Sequence, residues 1–155
     1  MRINNQFEHL GAKNIILEKP EIWDEIIEVF TCCSLTFGKS RPSQIKHTIS
    51  TEFNRLGWAD KVPINKQTNL TISFIKNRTG LCVQFGNVAR TYSDILKLTY
   101  LTTKNIIDVG VIIVPNKKES VLLGANYANF NRLSQEIEVF SEIIHIPLMI
   151  LGVTN

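Results

Sequence analysis

The sequence predicts an α/β fold in which a mixed β-sheet is flanked by helices. Three observations predict it: an alternating hairpin pattern stands near the middle of the chain, two nearly continuous apolar runs of strand length follow it, and amphipathic helical segments separate them. A helix between two strands of one sheet implies a right-handed crossover, so the second hairpin strand and the two apolar strands should include parallel neighbours.

Two amphipathic helices are predicted before the hairpin. The segment "KPEIWDEIIEVF" predicts a helix that starts near Pro20 and has Ile22, Ile26 and Phe30 at every fourth position. The segment "RPSQIKHTISTEFNRLGW" has Pro42 near its start and Gly57 at its end. These two helices are expected to precede every strand, and the polar residues 61–69 are expected to form a loop.

The hairpin is predicted over "LTISFIKNRTGLCVQFGN", with "NRTG" as the loop. In this register Phe74 faces Val83 on an apolar side, and a slip by one residue would mix that side with polar groups. On the other side Ser73 is expected to lie across from Gln84 and diagonal to Cys82, about 5–8 Å away between Cβ atoms.

The rest of the chain alternates helix and strand. The segment "VARTYSDILKLTYLTTKN" is predicted to be a helix, and residues 107–114 a strand covered on both faces and closed by Pro115. A further helix is predicted over 127–140 and a last buried strand over 147–153.

Length, charge and cysteine usage set broad bounds. Residues 1–155 are expected to form a single domain, mainly helical over 1–60, with the sheet core and its crossover helices over 69–155. The net charge of +3 permits an anionic partner without establishing one. The three cysteines form no CxxC pair, and neither an apolar leader nor a membrane span is apparent, so the protein is expected in the cytoplasm and away from membranes.

A family pattern emerges from the hairpin and its flanks. The pattern has an acid on the first strand, a second acid nine positions later, one further residue and then Gln, followed by "FGN" or "FSN". In this sequence those places hold Ser73, Cys82 and Gln84. Together with "GNVARTYSDILKL", "EIWDEIIEVF", "FNRLGW", "VGVIIVP" and "IPLMILGV", the hairpin resembles the active-site region of the BglII-like type II restriction endonucleases. The resemblance runs in order from about His9 to the end of the chain.

The resemblance implies a restriction-endonuclease-like core of the PD…(D/E)xK nuclease superfamily. It also implies a homodimer that embraces double-stranded DNA at a palindromic site, commonly built on GATC, and cleavage that depends on a divalent metal, with Mg²⁺ in active relatives. Asn87 matches a position that the family uses to contact a base, and Asn126 lies in a region that carries further DNA-reading residues. Arg90 and Lys97 are candidates for phosphate contacts.

The sequence departs from the family where the chemistry lies. Ser73 and Cys82 occupy the two places for metal-binding acids. Mg²⁺ needs anionic oxygen ligands, which a hydroxyl and a neutral thiol do not supply, so no metal is expected here. Three functions therefore remain open: a DNA-binding, catalytically degenerate relative, an active endonuclease with substitute acids, or a structural or regulatory protein that retains only the fold. The candidate substitute acids are Glu18, Glu52, Asp60 and Asp94.

Several of these residues also have a simpler, structural interpretation. Cys82 would need a nearby base such as His9, His47 or His145 to act as a nucleophile, and a half-buried structural cysteine is the expected alternative. Asn87 can serve loop chemistry, and an Asn near a helix start can be a cap. Any one basic residue can simply face solvent; the group in question is Lys76, Arg78, Arg90, Lys97, Lys104, Lys117 and Lys118.

Overall fold

The computed structural model describes residues 1–65, 67 and 69–155, which contain six strands and six helices. The strands are β1 (Arg2–His9), β2 (Ala59–Pro63), β3 (Thr71–Lys76), β4 (Thr79–Val83), β5 (Val109–Pro115) and β6 (Leu148–Thr154). The helices are α1 (Ala12–Leu17), α2 (Pro20–Cys32), α3 (Pro42–Arg55), α4 (Ala89–Thr103), α5 (Lys117–Leu123) and α6 (Phe130–Val139).

All six strands form one mixed sheet in the order β1-β6-β5-β4-β3-β2. The β4, β5 and β6 strands are parallel neighbours, while β1, β2 and β3 join by antiparallel pairing. The predicted fold class, an antiparallel hairpin combined with parallel crossover strands and flanking helices, is confirmed. Across the described residues, no helix is long and apolar enough to cross a membrane.

The sheet lies between two apolar layers. On one face α1, α2 and α3 pack against alternate residues of the central strands, with Phe30 and Phe53 among the largest fully buried side chains. On the other face α4 and α6 cover Ile112 and Ile150. Because both faces of β5 and β6 are covered, the sequences of these strands are nearly continuous apolar runs.

Two edge strands correct the sequence prediction. The expectation that both helices precede every strand is wrong, because β1 opens the chain and pairs along β6 from Arg2–Thr154 to His9–Leu148. The predicted loop over 61–69 is wrong in its first part, which belongs to β2, and it includes Lys66 and Thr68, which lie outside the described residues. Both strands are polar edge strands, so neither shows a strong apolar alternation.

The hairpin exists, but its register differs from the predicted one by two residues. Phe74 faces Leu81, and the connecting turn consists of Asn77 and Arg78 with φ values of 43° and 57°. Two consecutive left-handed residues give the tight turn whose twist matches paired strands. Because the shift is two residues, Phe74 keeps its predicted face, whereas a shift of one would have reversed it.

The β3 and β4 strands separate after a short ladder. Their pairing runs from Lys76–Thr79 to Phe74–Leu81 and includes no later pair. Beyond this ladder the chain that follows β4 stays beside β5, because the backbone N–H of Gln84 donates to the Ile113 carbonyl at 2.9 Å. The separation leaves a gap in the sheet between the outer part of β3 and the end of β4.

Gly80 on β4 is expected to be intolerant of a side chain. A Cβ at this position would lie 2.8 Å from Ile107 Cδ1 and 2.9 Å from Leu98 Cδ2. We expect Gly80→Ala to lower the free energy of unfolding by about 1–3 kcal/mol, because extra volume in a close-packed core forces neighbours to move. Urea unfolding measures this as a lower midpoint at unchanged slope.

The Leu98→Ala background provides the control for Gly80→Ala. Truncating Leu98 removes part of the clash, so the double variant should lose less stability than the sum of the single variants. An unchanged midpoint for Gly80→Ala alone would contradict the close contact.

Candidate functional site

A cleft of about 900 Å³ opens at the gap between β3 and β4. Residues of α3 line one wall and residues of α4 line the other, with Ser73 and Gln84 between them. These two helices cover opposite faces of the sheet. The gap therefore allows side chains from both faces to reach a common space.

A chain of hydrogen bonds runs along one side of the cleft. Gln84 Nε2 donates to Asp94 Oδ2 at 2.9 Å, and Lys97 Nζ donates to Asp94 Oδ1 at 3.0 Å. Gln84 is 5% exposed and Asp94 6% exposed, so this polar chain is largely shielded from water. Both oxygens of the Asp94 carboxylate are thus engaged by protein donors.

The second polar atom of the Gln84 side chain is the amide oxygen, Oε1. Gln84 Oε1 is buried and has no hydrogen-bond partner among the described residues. Gly86 leaves room for it, because a Cβ at that position would lie 2.9 Å from Oε1. A buried acceptor of this kind favours a donor from water or from a bound molecule in the cleft.

Cys82 lies beside Asp94 and is fully buried rather than half-buried as expected. Burial, followed by the neighbouring Asp94 charge, holds the pKa of the Cys82 thiol far above its ordinary range. A thiol kept protonated is a poor nucleophile, although His47 does line the cleft. The backbone of Ser73 contacts the Cys82 sulfur, so the three predicted positions Ser73, Cys82 and Gln84 meet around Asp94.

Three cations share the cleft with the Asp94 carboxylate. Lys46 projects from α3, while Arg90 and Lys97 belong to α4, and all three line the cleft. Lys46 remains exposed to solvent, yet its pKa is lowered, first by partial desolvation and then by repulsion from Arg90, while Asp94 acts in the opposite direction. The cleft is therefore a region of concentrated positive charge.

Lys46 was not among the predicted site residues. It follows Ile45 of the apolar stripe of α3, and in the sequence it looks like an ordinary solvated residue of an amphipathic helix. Only the gap between β3 and β4 brings it near α4, and no pattern in its own helix indicates that contact.

The four candidate acids have different surroundings. Asp94 contacts Gln84 directly, and Asp60 lines the same cleft. Glu52 instead pairs with Arg55 on α3. Glu18 is the C-terminal cap of α1 and is not a lining residue of the cleft.

The two predicted base-reading asparagines lie on adjacent exposed segments next to α4. Asn87 Oδ1 accepts from the Ala89 amide at 2.8 Å, so its side chain serves the start of the helix. The Val88 amide donates to the Asn126 carbonyl, which holds the two segments together. Asn129 caps α6 by accepting from the Arg132 amide.

The other basic residues are dispersed. Lys76 binds Glu25, and Arg78 binds Asp108, both close to the hairpin turn. That turn lies at the end of β3 and β4 opposite the gap. Of the seven basic residues singled out in the sequence, Arg90 and Lys97 line the cleft.

Comparison with known proteins identifies the family. The family described as restriction endonuclease BglII/BglIII matches residues 5–153. This chain belongs to the BglII/BglIII restriction endonuclease family. No curated protein matches it.

Two solved structures share the BglII/BglIII family fold. The crystal structure of restriction endonuclease BglII complexed with a DNA 16-mer is 18% identical, with a TM-score of 0.82 over 100% of this chain and 77% of that chain. The crystal structure of free BglII is 21% identical, with a TM-score of 0.74 over 100% of this chain and 80% of that one. At these low identities the TM-scores show that the fold is shared.

The donor set of the cleft does not fit the Mg²⁺ ion that the BglII/BglIII family resemblance implies. Within the ranges that the structure describes, no three His, Cys, Asp or Glu residues come together as a metal site. Asp94 is already bound by Gln84 and Lys97, and three cations would oppose a divalent ion. Mg²⁺ requires anionic oxygen to offset the loss of its hydration shell.

The pKa of the Cys82 thiol predicts an alkaline loss of stability. In the unfolded chain the thiol loses its proton above its ordinary pKa of 9.0, whereas the folded protein retains that proton. The unfolded state then binds fewer protons, so the free energy of unfolding falls as pH rises above 9.0, by up to about 1.4 kcal/mol per pH unit for this one group.

The comparison of Cys82→Ala with wild type isolates that contribution. Chemical unfolding between pH 8 and pH 10.5 should give a shallower alkaline decline for Cys82→Ala, while Cys32→Ala, at an exposed cysteine, should follow the wild type. Equal slopes for Cys82→Ala and wild type would mean that the thiol does not titrate differently in the folded state.

Proposed function

We propose that this protein binds double-stranded DNA at a palindromic, GATC-type site and that its endonuclease activity is weakened or lost. The observation that carries the proposal is the cleft around Gln84, in which Lys46, Arg90 and Lys97 accompany the Asp94 carboxylate that protein donors already engage. The lining pair of Asp60 and Lys61 adds no net charge. Positive charge of this kind suits a phosphate backbone, and one neutralised carboxylate is a poor base for metal-assisted hydrolysis.

The DNA part of the proposal also draws on the family. The related BglII structure was solved with a DNA 16-mer, and this chain shares its fold. Arg90 and Lys97 would contact phosphates, which position a duplex without reading its sequence. Asn87 and Asn126 lie exposed on adjoining segments beside the first turn of α4. The Asn126 amide and the Asn87 amino group would be available to base edges, while Asn87 Oδ1 accepts from Ala89.

A second candidate function receives support from Asp94. Asp94 Oδ2 lies 2.9 Å from Gln84 Nε2, close enough for both side chains to share a ligand. The second candidate is therefore an active endonuclease that uses Asp94 as a substitute acid. The engagement of Asp94 by Lys97 and the neutral Cys82 beside it favour the degenerate site. A protein that retains only the fold would have no use for the cluster of cations.

An exposed apolar stripe supports the expected homodimer. Tyr92, Leu96 and Tyr100 follow one another at four-residue intervals along the outer side of α4. Tyr92 lies beside Arg132 and Glu136 of α6, so the two helices are neighbours. Val139 at the end of α6, and Phe140 and Ile143 just after it, are also exposed apolar side chains. Exposed patches of several large apolar side chains mark interaction surfaces, and a second copy of the chain could cover this one by symmetry.

Restoring both acids tests the degenerate site. We expect wild type with Mg²⁺ or Mn²⁺ to nick plasmid DNA very slowly or not at all, and Ser73→Asp combined with Cys82→Glu to nick it faster, because two more carboxylates next to Asp94 would supply the anionic oxygens that a divalent ion needs. Supercoiled plasmid relaxation, followed by electrophoresis, gives the rate.

Ser43→Asp provides the control, because it adds a carboxylate to the α3 wall of the same cleft. It should leave nicking unchanged, and near-ultraviolet circular dichroism should verify that each variant is folded. Nicking by wild type that the restored acids do not increase would refute the degenerate site and favour Asp94 as a substitute acid.

Leu96→Glu tests the dimer surface. A charge at this 70% exposed position should disfavour an apolar interface, so the variant should sediment as a monomer at concentrations where wild type is a dimer. Val121→Glu changes an equally exposed apolar residue on α5 and should leave the sedimentation of wild type unchanged. A monomeric wild type would argue against the homodimer itself.

A further inference from the structure

The electrostatics of the cleft lead to an inference about how it holds DNA, which rests on the proposed DNA-binding function. We propose that Lys97 is a tethered cation that binds one phosphate of the duplex together with Lys46 and Arg90, without help from a divalent ion. Asp94 is the positioning residue that aims Lys97 into the cleft.

Geometry is the first support for this role of Lys97. Its ammonium group lies 3.0 Å from Asp94 Oδ1, and its side chain is 19% exposed, so the charge is held in place at the surface of the cleft. An ammonium group has three donors, and Asp94 accepts one of them. The others remain available to an anion.

The position of Asp94 within the polar chain explains why Lys97 is held firmly. Gln84 fixes the second oxygen of Asp94, and Gln84 is itself fixed by its backbone bond to Ile113 on the neighbouring strand. Lys97 thus stands at the end of a series of hydrogen bonds anchored in the sheet. A charge fixed in this way loses little side-chain entropy when a phosphate binds.

Charge balance is the second support. Lys46 and Arg90 add two positive charges to the same cleft from opposite walls, whereas Asp94 contributes one negative charge. The lining residues Asp60 and Lys61 pair with each other at 3.9 Å and cancel in this balance. The mutual repulsion of these cations acts on Lys46. A phosphate placed between the walls relieves that repulsion, while a divalent ion would increase it.

The third support is the chemistry of the site opposite Lys97. Ser73 and the buried Cys82 provide no negative charge to attract a divalent ion. The protein's own ammonium group therefore supplies the positive charge that such an ion would otherwise bring to a phosphate.

Duplex binding with and without Mg²⁺ tests the inference. The probe is a short GATC-containing duplex, and affinity is measured by fluorescence anisotropy over a range of salt concentrations, in EDTA and in Mg²⁺ at matched ionic strength. Wild type should bind equally well in both. Lys97→Met should bind about 10-fold more weakly in both, as expected for loss of a charged hydrogen bond. Its slope of log K against log salt should fall by about 0.9, as expected for one lost phosphate contact.

Two further variants make the result specific. Lys104→Met removes a lysine just beyond the end of α4, where it lies over the ring of Tyr100, and should bind as wild type does. Asp94→Asn retains a side chain that can accept from Gln84 but removes the negative charge. Without its ionic tether Lys97 should contribute less, so Lys97→Met should cost less affinity in EDTA in the Asp94→Asn background than in wild type. A site that needed a divalent ion would instead lose Mg²⁺-dependent affinity with Asp94→Asn.

The outcomes separate the inference from the proposed function. Binding that requires Mg²⁺, a salt slope unchanged by Lys97→Met, or an undiminished effect of Lys97→Met in the Asp94→Asn background would overturn the tethered cation while DNA binding stands. Failure of wild type to bind the duplex under either condition would overturn the proposed function itself.

Discussion

The separation of β3 from β4 beyond the Phe74–Leu81 pair is the constraint on which the site depends. In a continuous sheet the two faces are isolated from each other, and a side chain on α3 cannot approach one on α4. Here the ladder stops after three pairs, and β4 continues along β5 alone. The resulting gap brings Lys46 from one face and the Asp94–Lys97 pair from the other to a common cleft. An irregular pairing of two interior strands therefore gives the cleft access to both faces of the sheet.

The strands on either side of the gap show how it is stabilised. Ile72 packs with the layer under α4, whereas Phe74, two residues along the same strand, packs with the layer under α3. Regular alternation would place both on one face, so β3 is irregular around Ser73. The paired strand β2 is irregular at the same level, where Lys61 has a φ of 49°. Two anchored apolar residues therefore hold Ser73 at the edge of the cleft.

The sequence predicts most of the core and much less of the edges. Helices α2, α3 and α4 carry strong apolar periodicity, and the parallel order of β4, β5 and β6 follows from the crossover rule. The β1 strand has apolar residues only at Ile3 and Phe7, because its stability comes from pairing along buried β6. The predicted hairpin register differs from the observed one by two residues. A shift of two preserves the apolar face, so the sequence pattern alone cannot distinguish the two registers.

In the candidate site, too, the sequence predicts some residues and does not predict others. The convergence of Ser73, Cys82 and Gln84 is predicted from the hairpin motif, but the predicted pairing of Ser73 with Gln84 is wrong, because the β3–β4 ladder ends at Phe74–Leu81. Asp94 is one of four acids that the sequence offers, and the contact with Gln84 distinguishes it. Lys46 could not be predicted, because its place in the cleft depends on how β3 leaves the sheet rather than on any residue near it in sequence.

The electrostatics of Asp94 connect the neutral thiol at position 82 with the lysine at position 97. Two carboxylates in a shielded site repel each other strongly unless a cation lies between them. With the neutral Cys82 beside it, Asp94 faces no such repulsion, and one lysine from the next helical turn is enough to balance its charge. A neutral thiol and an internal lysine are therefore consistent with each other. An acid at position 82 would leave Lys97 with two neighbouring charges to balance, and a neutral residue at position 97 would remove the ammonium group that binds Asp94 directly.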